Sequence, residues 1–242
     1  GRPWPNRTED GRPLGLIPAP MDMSHLSAAS SFDNADNLPA AYDLRTKNKL
    51  TIIKDQGACG SCWAFAGMGS LESFLKPGAA WDFSEQGVID GCGFDYGPCD
   101  GGHMWMYAAY VARWLGPVKE SQKPYEYASP DGFAPAMHVQ KMMFLPVRKS
   151  ATDNTRIKNA VRNYGAVSVS MAWNSAAYRD ATHAYYHTGG WMGGHAVCVV
   201  GWDDSLPKSK FASQPPGNGA FIVRNSWGNG WGDGGYFYVS YH

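Results

Sequence analysis

The part of the sequence best suited to chemistry is residues 56–65, which read Gln-Gly-Ala-Cys-Gly-Ser-Cys-Trp-Ala-Phe. From Ala64 onward, apolar residues recur at spacings that give one apolar helix face, so a helix is predicted to begin near Cys62. A thiol attacks an amide carbonyl as the thiolate, and the dipole and free N–H groups of a helix N-terminus favour a negative sulfur. Gln56 can direct an amide N–H to the same place. Cys62 is therefore the predicted nucleophile.

A thiol nucleophile needs a base, and His195 is the best placed of the seven histidines. It lies between the flexible pair Gly193-Gly194 and an apolar strand predicted over residues 196–202. A rigid sheet would then hold its side chain at the mouth of a cleft. A structural role for a histidine at a strand end is the alternative. His195 is the predicted acid and base.

The imidazole of such a base needs an acceptor that fixes its tautomer and orientation. Asn225 ends an apolar strand predicted over residues 220–225, and its amide oxygen can accept a hydrogen bond from the imidazole. Trp227 follows two residues later and could shield that hydrogen bond from water. The alternative is an ordinary turn asparagine. Asn225 is the predicted orienting residue.

Composition narrows the class of protein. The chain has 242 residues, 44% of them hydrophobic, with 21 basic and 21 acidic side chains. It can bury a large core in one domain or two packed lobes. Zero formal charge gives no reason to expect nucleic acid or an anionic membrane as partner. No apolar run approaches the roughly 18 residues that span a bilayer, and any signal peptide is expected to be absent from this sequence.

Residues 1–37 differ from the rest and are predicted to form an extension. They are rich in proline, glycine and small polar residues, with one apolar island over residues 14–21. Pro18 and Pro20 favour extended backbone there, so the island either lies on a surface or belongs to a floppy terminus. Residues 38–242 are predicted to form the globular domain, with a left lobe mainly in 50–150 and a right lobe mainly in 151–242.

Helices dominate the first half of that domain and strands the second, which predicts an α+β fold in two lobes. Helices are predicted after Cys62, from Ser84 to Ile89, from about His103 to Trp114, and after a Thr152-Asp153 cap up to Gly165. Strands are predicted over residues 50–53, 167–171, 196–202, 220–225 and 235–241.

Five motifs in order resemble the papain-like, cathepsin-type cysteine peptidases. They are Gln56-Gly-Ala-Cys-Gly-Ser-Cys-Trp, Ser84-Glu-Gln, Cys99-Asp-Gly-Gly, Gly194-His-Ala-Val and Asn225-Ser-Trp-Gly-Asn-Gly-Trp-Gly. His195 follows Cys62 by 133 residues, within the roughly 130–150 typical of this family. The resemblance covers roughly the last five-sixths of the chain. A bacterial branch that includes clostridial surface-layer-processing peptidases is resembled by three features: the extension with Leu16-Ile-Pro-Ala-Pro, the Phe211-Ala-Ser loop and the Ser240-Tyr ending.

The resemblance implies a helical left lobe, a right lobe similar to an antiparallel β-barrel, and a substrate cleft between them. It makes Cys62 the nucleophile, His195 the acid and base, Asn225 the orienting residue and Gln56 an oxyanion donor together with the Cys62 N–H. It implies a Cys59–Cys99 disulfide, while Cys92 and Cys198 are expected to remain free thiols. Substrate-binding roles fall on Gly101, Gly102, His103, Met104, Ser170, Gly194, Ala196 and Trp227.

These patterns predict a secreted or cell-surface endopeptidase that acts on protein or peptide substrates, without cofactor, as a monomer. Cys59 and Cys62 form a C-x-x-C, but no second ligand pair at zinc spacing follows, so no metal site is predicted. The extension is expected to dock in or near the cleft and regulate access. A catalytically silent peptide-binding relative is the alternative, and exopeptidase or transpeptidase activity remains open.

Overall fold

The helix that carries Cys62 lies between two groups of elements. The computed structural model describes residues 7–18, 20, 32, 37–125 and 132–242. Helix α1 packs on two other helices on one side and on two strands of a sheet on the other. The helices are α1 Cys62–Leu75, α2 Glu85–Gly91, α3 Met104–Ala112 and α4 Thr155–Tyr164, and short 3-10 helices cover Leu44–Lys47, Ser175–Ala177, Asp180–Thr182 and Lys208–Lys210.

The second half of the chain forms the sheet around one long strand. The strands are β1 Ala41–Asp43, β2 Val167–Ala172, β3 Tyr178–Arg179, β4 Ala184–Tyr185, β5 Gly194–Asp203, β6 Ala220–Arg224 and β7 Tyr236–Ser240. Their order is β1-β5-β6-β7-β4-β3, with β2 also paired to β5, and every pair is antiparallel except β4 with β7. Almost every residue of β5 is buried. This α+β architecture confirms the predicted fold class.

The close approach of α1 to α3 depends on Gly67. A Cβ at this position would lie 2.5 Å from the ring of Tyr107 on α3, far inside van der Waals contact. A glycine in a helix interior costs roughly 1 kcal/mol relative to alanine. Here the glycine allows the Tyr107 ring to be buried against the α1 backbone.

Two local predictions were wrong. Residues 50–53 do not form a strand, because the Arg224 guanidinium takes the Ile52 carbonyl and the Thr51 hydroxyl as hydrogen-bond acceptors. Helix α4 begins after Asn154 rather than after a Thr152-Asp153 cap. The Asp153 carboxylate instead accepts the Lys149 N–H at 2.9 Å and closes the preceding turn.

Lys54, whose side chain is largely but not fully buried, holds the irregular segment before the Cys62 loop against the helical lobe. The Lys54 ammonium donates to the Phe83 carbonyl at 2.7 Å and to Glu85 at 2.9 Å. Burial, added to the charge of Glu72, raises the pKa of Glu85 to about 8 even though Lys54 opposes the shift. The other carboxylates within 4 Å of the ammonium are Asp82, Glu72 and Glu120.

Replacing Lys54 by methionine is expected to lower the free energy of unfolding by about 3–5 kcal/mol at neutral pH, because it leaves buried carboxylates without a cation. The pKa of Glu85 in the folded chain exceeds its ordinary value, so the folded chain binds more protons and stability falls as pH rises between the two values. Losing Lys54 raises this pKa further, so the two folded chains differ in the charge of Glu85 only above about pH 8. The loss should therefore grow as pH rises from 7 to 9, in urea unfolding measured at several pH values.

Lys208→Met serves as the control, since Lys208 is an exposed lysine in a 3-10 helix. It should change stability by less than about 0.5 kcal/mol at every pH. An equal loss in both variants, or a loss in Lys54→Met that does not depend on pH, would contradict the role assigned to Lys54.

Candidate active site

Cys62 is the first residue of α1 and is fully buried. Its Sγ accepts the N–H of Ala196 at 3.3 Å, which places the sulfur next to the start of β5. The loop that leads into α1 is fastened by the Cys59–Cys99 disulfide, as the resemblance implied. Cys92 and Cys198 are free and buried, as expected. The thiol at the helix N-terminus thus has a fixed position.

His195 lies in β5, and Asn225 directly follows the adjacent strand β6. The imidazole Nε2 is 2.7 Å from Asn225 Oδ1, which also accepts the Ser226 N–H at 2.8 Å. An amide oxygen can only accept, so Nε2 carries the proton. Nδ1 is buried without a hydrogen-bond partner in the described chain. Asn225 therefore leaves Nδ1 available, and the Cys62 sulfur contacts the residue that follows His195.

Two indole rings enclose the imidazole. Trp227 stacks on His195 with ring centroids 4.7 Å apart, and Trp173 meets it edge-on at 5.9 Å. Burial lowers the pKa of His195 to about 4, although the bond to Asn225 opposes the shift. Burial likewise raises the pKa of the Cys62 thiol to about 12, against the opposing N–H of Ala196. Burial therefore favours the neutral form of both groups.

Gln56 is held with its amide nitrogen toward the thiol loop. Ser226 Oγ donates to Gln56 Oε1 at 2.7 Å, which fixes the orientation of the amide. Gln56 Nε2 then donates to the Cys59 carbonyl at 2.8 Å and, more weakly, to the Leu14 carbonyl at 3.4 Å. The side chain is fully buried. Its amide nitrogen therefore lies between the Cys59 carbonyl of its own loop and the Leu14 carbonyl.

The cleft itself is filled by residues 7–18, here called the cleft segment. The segment begins with a turn in which Arg7 bridges to Pro13, and the Trp227 indole donates to the Pro13 carbonyl at 2.9 Å. Leu16 then pairs with Gly102 on one side and with Gly194 on the other. Leu14 and Leu16 are 1% and 5% exposed. Ala19 and Met21 of the predicted apolar island lie outside the described residues.

The predicted substrate-binding residues occupy different parts of the cleft. Gly102 exchanges two hydrogen bonds with the cleft segment, from its N–H to the Gly15 carbonyl at 2.8 Å and from the Ile17 N–H to its carbonyl at 2.9 Å. Gly101 and Gly194 also contact the segment. Met104 and Ser168 connect α3 to β2 through a 3.2 Å contact. His103 is buried beside Phe94, and Ser170 is exposed in β2 opposite Ala196.

Sequence reasoning missed three residues that hold the site together: Ser226, Trp173 and Tyr125. Ser226 directly follows Asn225 in one of the five family motifs, so the sequence did contain a signal that could have indicated it. Trp173 follows a predicted strand, but nothing in the local pattern indicates that its ring reaches His195. Tyr125 lies outside every predicted helix and strand, and its hydroxyl lies 2.9 Å from the Gln56 carbonyl.

Metal-binding and membrane-spanning features are both missing from the described residues. No group of three or more His, Cys, Asp or Glu side chains among them is arranged to hold a metal ion. Of the helices in the same part of the chain, none is both long and apolar enough to cross a membrane.

Comparison with known proteins identifies the family. The family model for papain family cysteine protease matches residues 38–242. Digestive cysteine proteinase 2 of Homarus americanus is 33% identical over 205 residues, which are 82% of this chain and 60% of that protein. This chain thus spans about 60% of the length of that curated relative.

Solved structures that are similar to this chain support the same family. The cysteine protease and lectin-like domains of Cwp84, a surface layer associated protein of Clostridium difficile, match with a TM-score of 0.70 and 29% identity, over 96% of this chain and 53% of that chain. A variant of the clostridial cysteine protease Cwp84 after propeptide cleavage matches with a TM-score of 0.67 and 32% identity, over 83% of this chain and 53% of that chain. Both matches agree with the resemblance to a bacterial surface branch. The chain belongs to the papain family of cysteine proteases.

Proposed function

We propose that the chain is a cysteine endopeptidase that hydrolyses peptide bonds of proteins through an acyl-enzyme on Cys62. The observation that carries the proposal is the linked placement of Asn225, His195 and Cys62, with the Gln56 amide beside them. Each residue has the chemistry that its role needs, and each is held by a different element of the fold. The relatives named above are described as cysteine proteases, which supports the same activity.

The proposed reaction follows from these positions. His195 Nδ1 takes the proton of the Cys62 thiol, and the thiolate attacks the peptide carbonyl carbon. The Gln56 side chain and the Cys62 N–H donate hydrogen bonds to the oxyanion, each worth roughly 3–4 kcal/mol in comparable sites. His195 then gives its proton to the leaving amine, and the C–N bond breaks to leave a thioester. Water activated by His195 hydrolyses the thioester and restores the thiol.

An extended peptide would bind by adding a strand between Gly102 and Gly194, as the cleft segment does. Gly101, His103, Met104, Ser170 and Ala196 are proposed to flank it, and Trp227 to contact it near the thiol. Leu16 lies buried in this cleft, which favours apolar side chains in the substrate.

The cleft segment is proposed to keep the enzyme latent. It leaves Cys62 and His195 with no exposed surface, and burial favours the neutral form of both. A solved relative is described after propeptide cleavage, which supports an inhibitory segment that is removed. The regulatory part of residues 1–37 is therefore proposed to act through residues 7–18.

The location is proposed to be extracytoplasmic, either secreted or at a cell surface, and the source bacterial. The Cys59–Cys99 disulfide suits an oxidising compartment. Cwp84 is described as a surface layer associated protein. The protein is proposed to act as a monomer.

Labelling with an epoxysuccinyl thiol inhibitor tests the activity. The full chain and its Leu16→Asp variant, whose new carboxylate opposes burial in the cleft, would be treated under mild reduction and mapped by peptide mass spectrometry. We expect labelling at Cys62, faster in Leu16→Asp, and its loss in a Leu16→Asp, His195→Ala double variant. The buried thiols Cys92 and Cys198 serve as internal controls and should stay unmodified.

The alternative is a catalytically silent peptide-binding module. It would be supported if the folded Leu16→Asp chain showed no labelling at Cys62, or labelled all its thiols equally slowly. Either result would contradict an activated thiol.

A further inference from the structure

The hydroxyl of Tyr125 joins the two parts of the loop that precedes α1. Its oxygen lies 2.9 Å from the backbone carbonyl of Gln56 and 2.7 Å from the Ser61 hydroxyl. Tyr125 belongs to the segment between α3 and α4, far from both in sequence. The contact therefore crosses from one region of the helical lobe to the base of the catalytic loop.

The direction of these hydrogen bonds can be assigned from the donor groups. A carbonyl only accepts, so the single proton of the Tyr125 phenol points to Gln56. The Ser61 hydroxyl must then donate to the Tyr125 oxygen. The result is a directed chain from Ser61 through Tyr125 to Gln56, and serial hydrogen bonds of this kind strengthen one another.

Both ends of this series of hydrogen bonds, Ser61 and Gln56, adjoin a proposed oxyanion donor. Gln56 supplies its side-chain N–H groups, and Ser61 directly precedes Cys62, whose backbone N–H is the second donor. The Gln56 carbonyl also accepts the Cys59 N–H at 3.2 Å. The phenol therefore connects the two stretches of loop backbone that carry these donors.

Tyr125 is itself held rigidly. Its ring meets Phe65 of α1 edge-on, with centroids 4.9 Å apart, and its N–H donates to Glu120 at 2.8 Å. A group that positions others must have its own rotamer fixed by packing and hydrogen bonds. Tyr125 meets this condition on both its ring and its backbone.

We propose that Tyr125 is a positioning residue for the oxyanion hole, acting through Gln56 and Ser61. The inference rests on the proposed roles of Gln56 and the Cys62 N–H. Tyr125 would act on the reaction without touching the substrate. Stabilisation of the oxyanion depends on donors already placed for it, so loosening the loop should slow the chemical step more than substrate binding.

Tyr125→Phe tests the proposal, because it removes one oxygen and keeps the ring. The variant would be made in the full chain carrying Leu16→Asp and assayed with a peptide substrate. We expect kcat to fall about 3- to 30-fold with KM within twofold. Alkylation of Cys62 by iodoacetamide should keep its rate and pH profile, since that displacement forms no oxyanion. Tyr164→Phe, a partly exposed tyrosine on α4, should change nothing.

Two further comparisons separate positioning from a general structural effect. In a Gln56→Ala background, Tyr125→Phe should cause clearly less additional loss of kcat than it does alone. Full additivity, or slower alkylation in parallel with slower hydrolysis, would overturn the proposal. If Gln56→Ala by itself left kcat unchanged, the proposed role of Gln56 would be wrong.

A spectroscopic readout that needs no activity distinguishes these failures. In the otherwise unaltered full chain, Tyr125→Phe should shift or broaden the side-chain amide NMR signals of Gln56, and Tyr164→Phe should not. Unchanged Gln56 signals in Tyr125→Phe would overturn the positioning role whatever the kinetics.

Discussion

Replacing Cys62 by alanine is expected to reduce peptide hydrolysis by at least about 10⁴-fold, because no other group can form the acyl-enzyme. The residual rate would come from binding and the oxyanion donors alone. The measurement is kcat/KM for a peptide substrate in the full chain carrying Leu16→Asp, with and without Cys62→Ala. Circular dichroism of both variants would establish that they are equally folded.

Cys198→Ala is the matched control. Cys198 is also a buried thiol, and it donates to the Ala66 carbonyl of α1 at 3.1 Å, yet it lies outside the proposed machinery. Its loss should leave kcat/KM within about threefold. A comparable loss of activity in both variants, or substantial activity without Cys62, would contradict nucleophilic catalysis by this sulfur.

The residues proposed for chemistry were the easiest to predict, because their signals are local. A cysteine at a helix start, and a histidine and an asparagine at strand ends, each stand out against their immediate neighbours. The long apolar strand that became β5 was visible for the same reason. The structure then supplied what no local pattern contains, namely that Asn225 and His195 share a hydrogen bond of 2.7 Å.

Tertiary contacts explain where prediction from the sequence failed. Residues 50–53 have the composition of a strand, but the guanidinium of Arg224 takes over their polar groups. The two-residue strand β3 is too short to give a periodic pattern. Tyr125 reaches Gln56 from 69 positions away, so its partner is set by the fold and not by its neighbours.

The docking of the cleft segment is likewise decided by the fold and not by its local sequence. Its apolar island is visible in the sequence, but whether the island docks depends on a groove that forms only after both lobes fold. The structure adds that the same glycines serve two purposes. Gly102 and Gly194, which we propose to pair with substrate, already pair with Leu16. Substrate and segment would therefore compete for one set of backbone hydrogen bonds.

Gly15→Val in the full chain is expected to raise the rate of epoxysuccinyl labelling at Cys62 by about 10- to 100-fold. A Cβ at Gly15 would lie 2.2 Å from the Gly60 carbonyl oxygen, and the backbone φ of +154° is one that side chains disfavour. Gly60 cannot easily retreat, because the Cys59–Cys99 disulfide adjoins it and its N–H binds the Cys99 carbonyl. The segment should leave the cleft instead, giving up the roughly 1.5–3 kcal/mol that burying a leucine contributes.

The pKa values give this release a second consequence. Exposure to water should remove the burial that raises the pKa of Cys62 and lowers that of His195. A larger fraction of Cys62 would then be thiolate at a given pH, and the labelling rate of Gly15→Val should exceed that of the parent chain across pH 5–8. Gly230→Val, at a glycine with open space around it, should label as slowly as the parent. Equal rates in all three folded chains would show that the cleft segment does not restrain the enzyme.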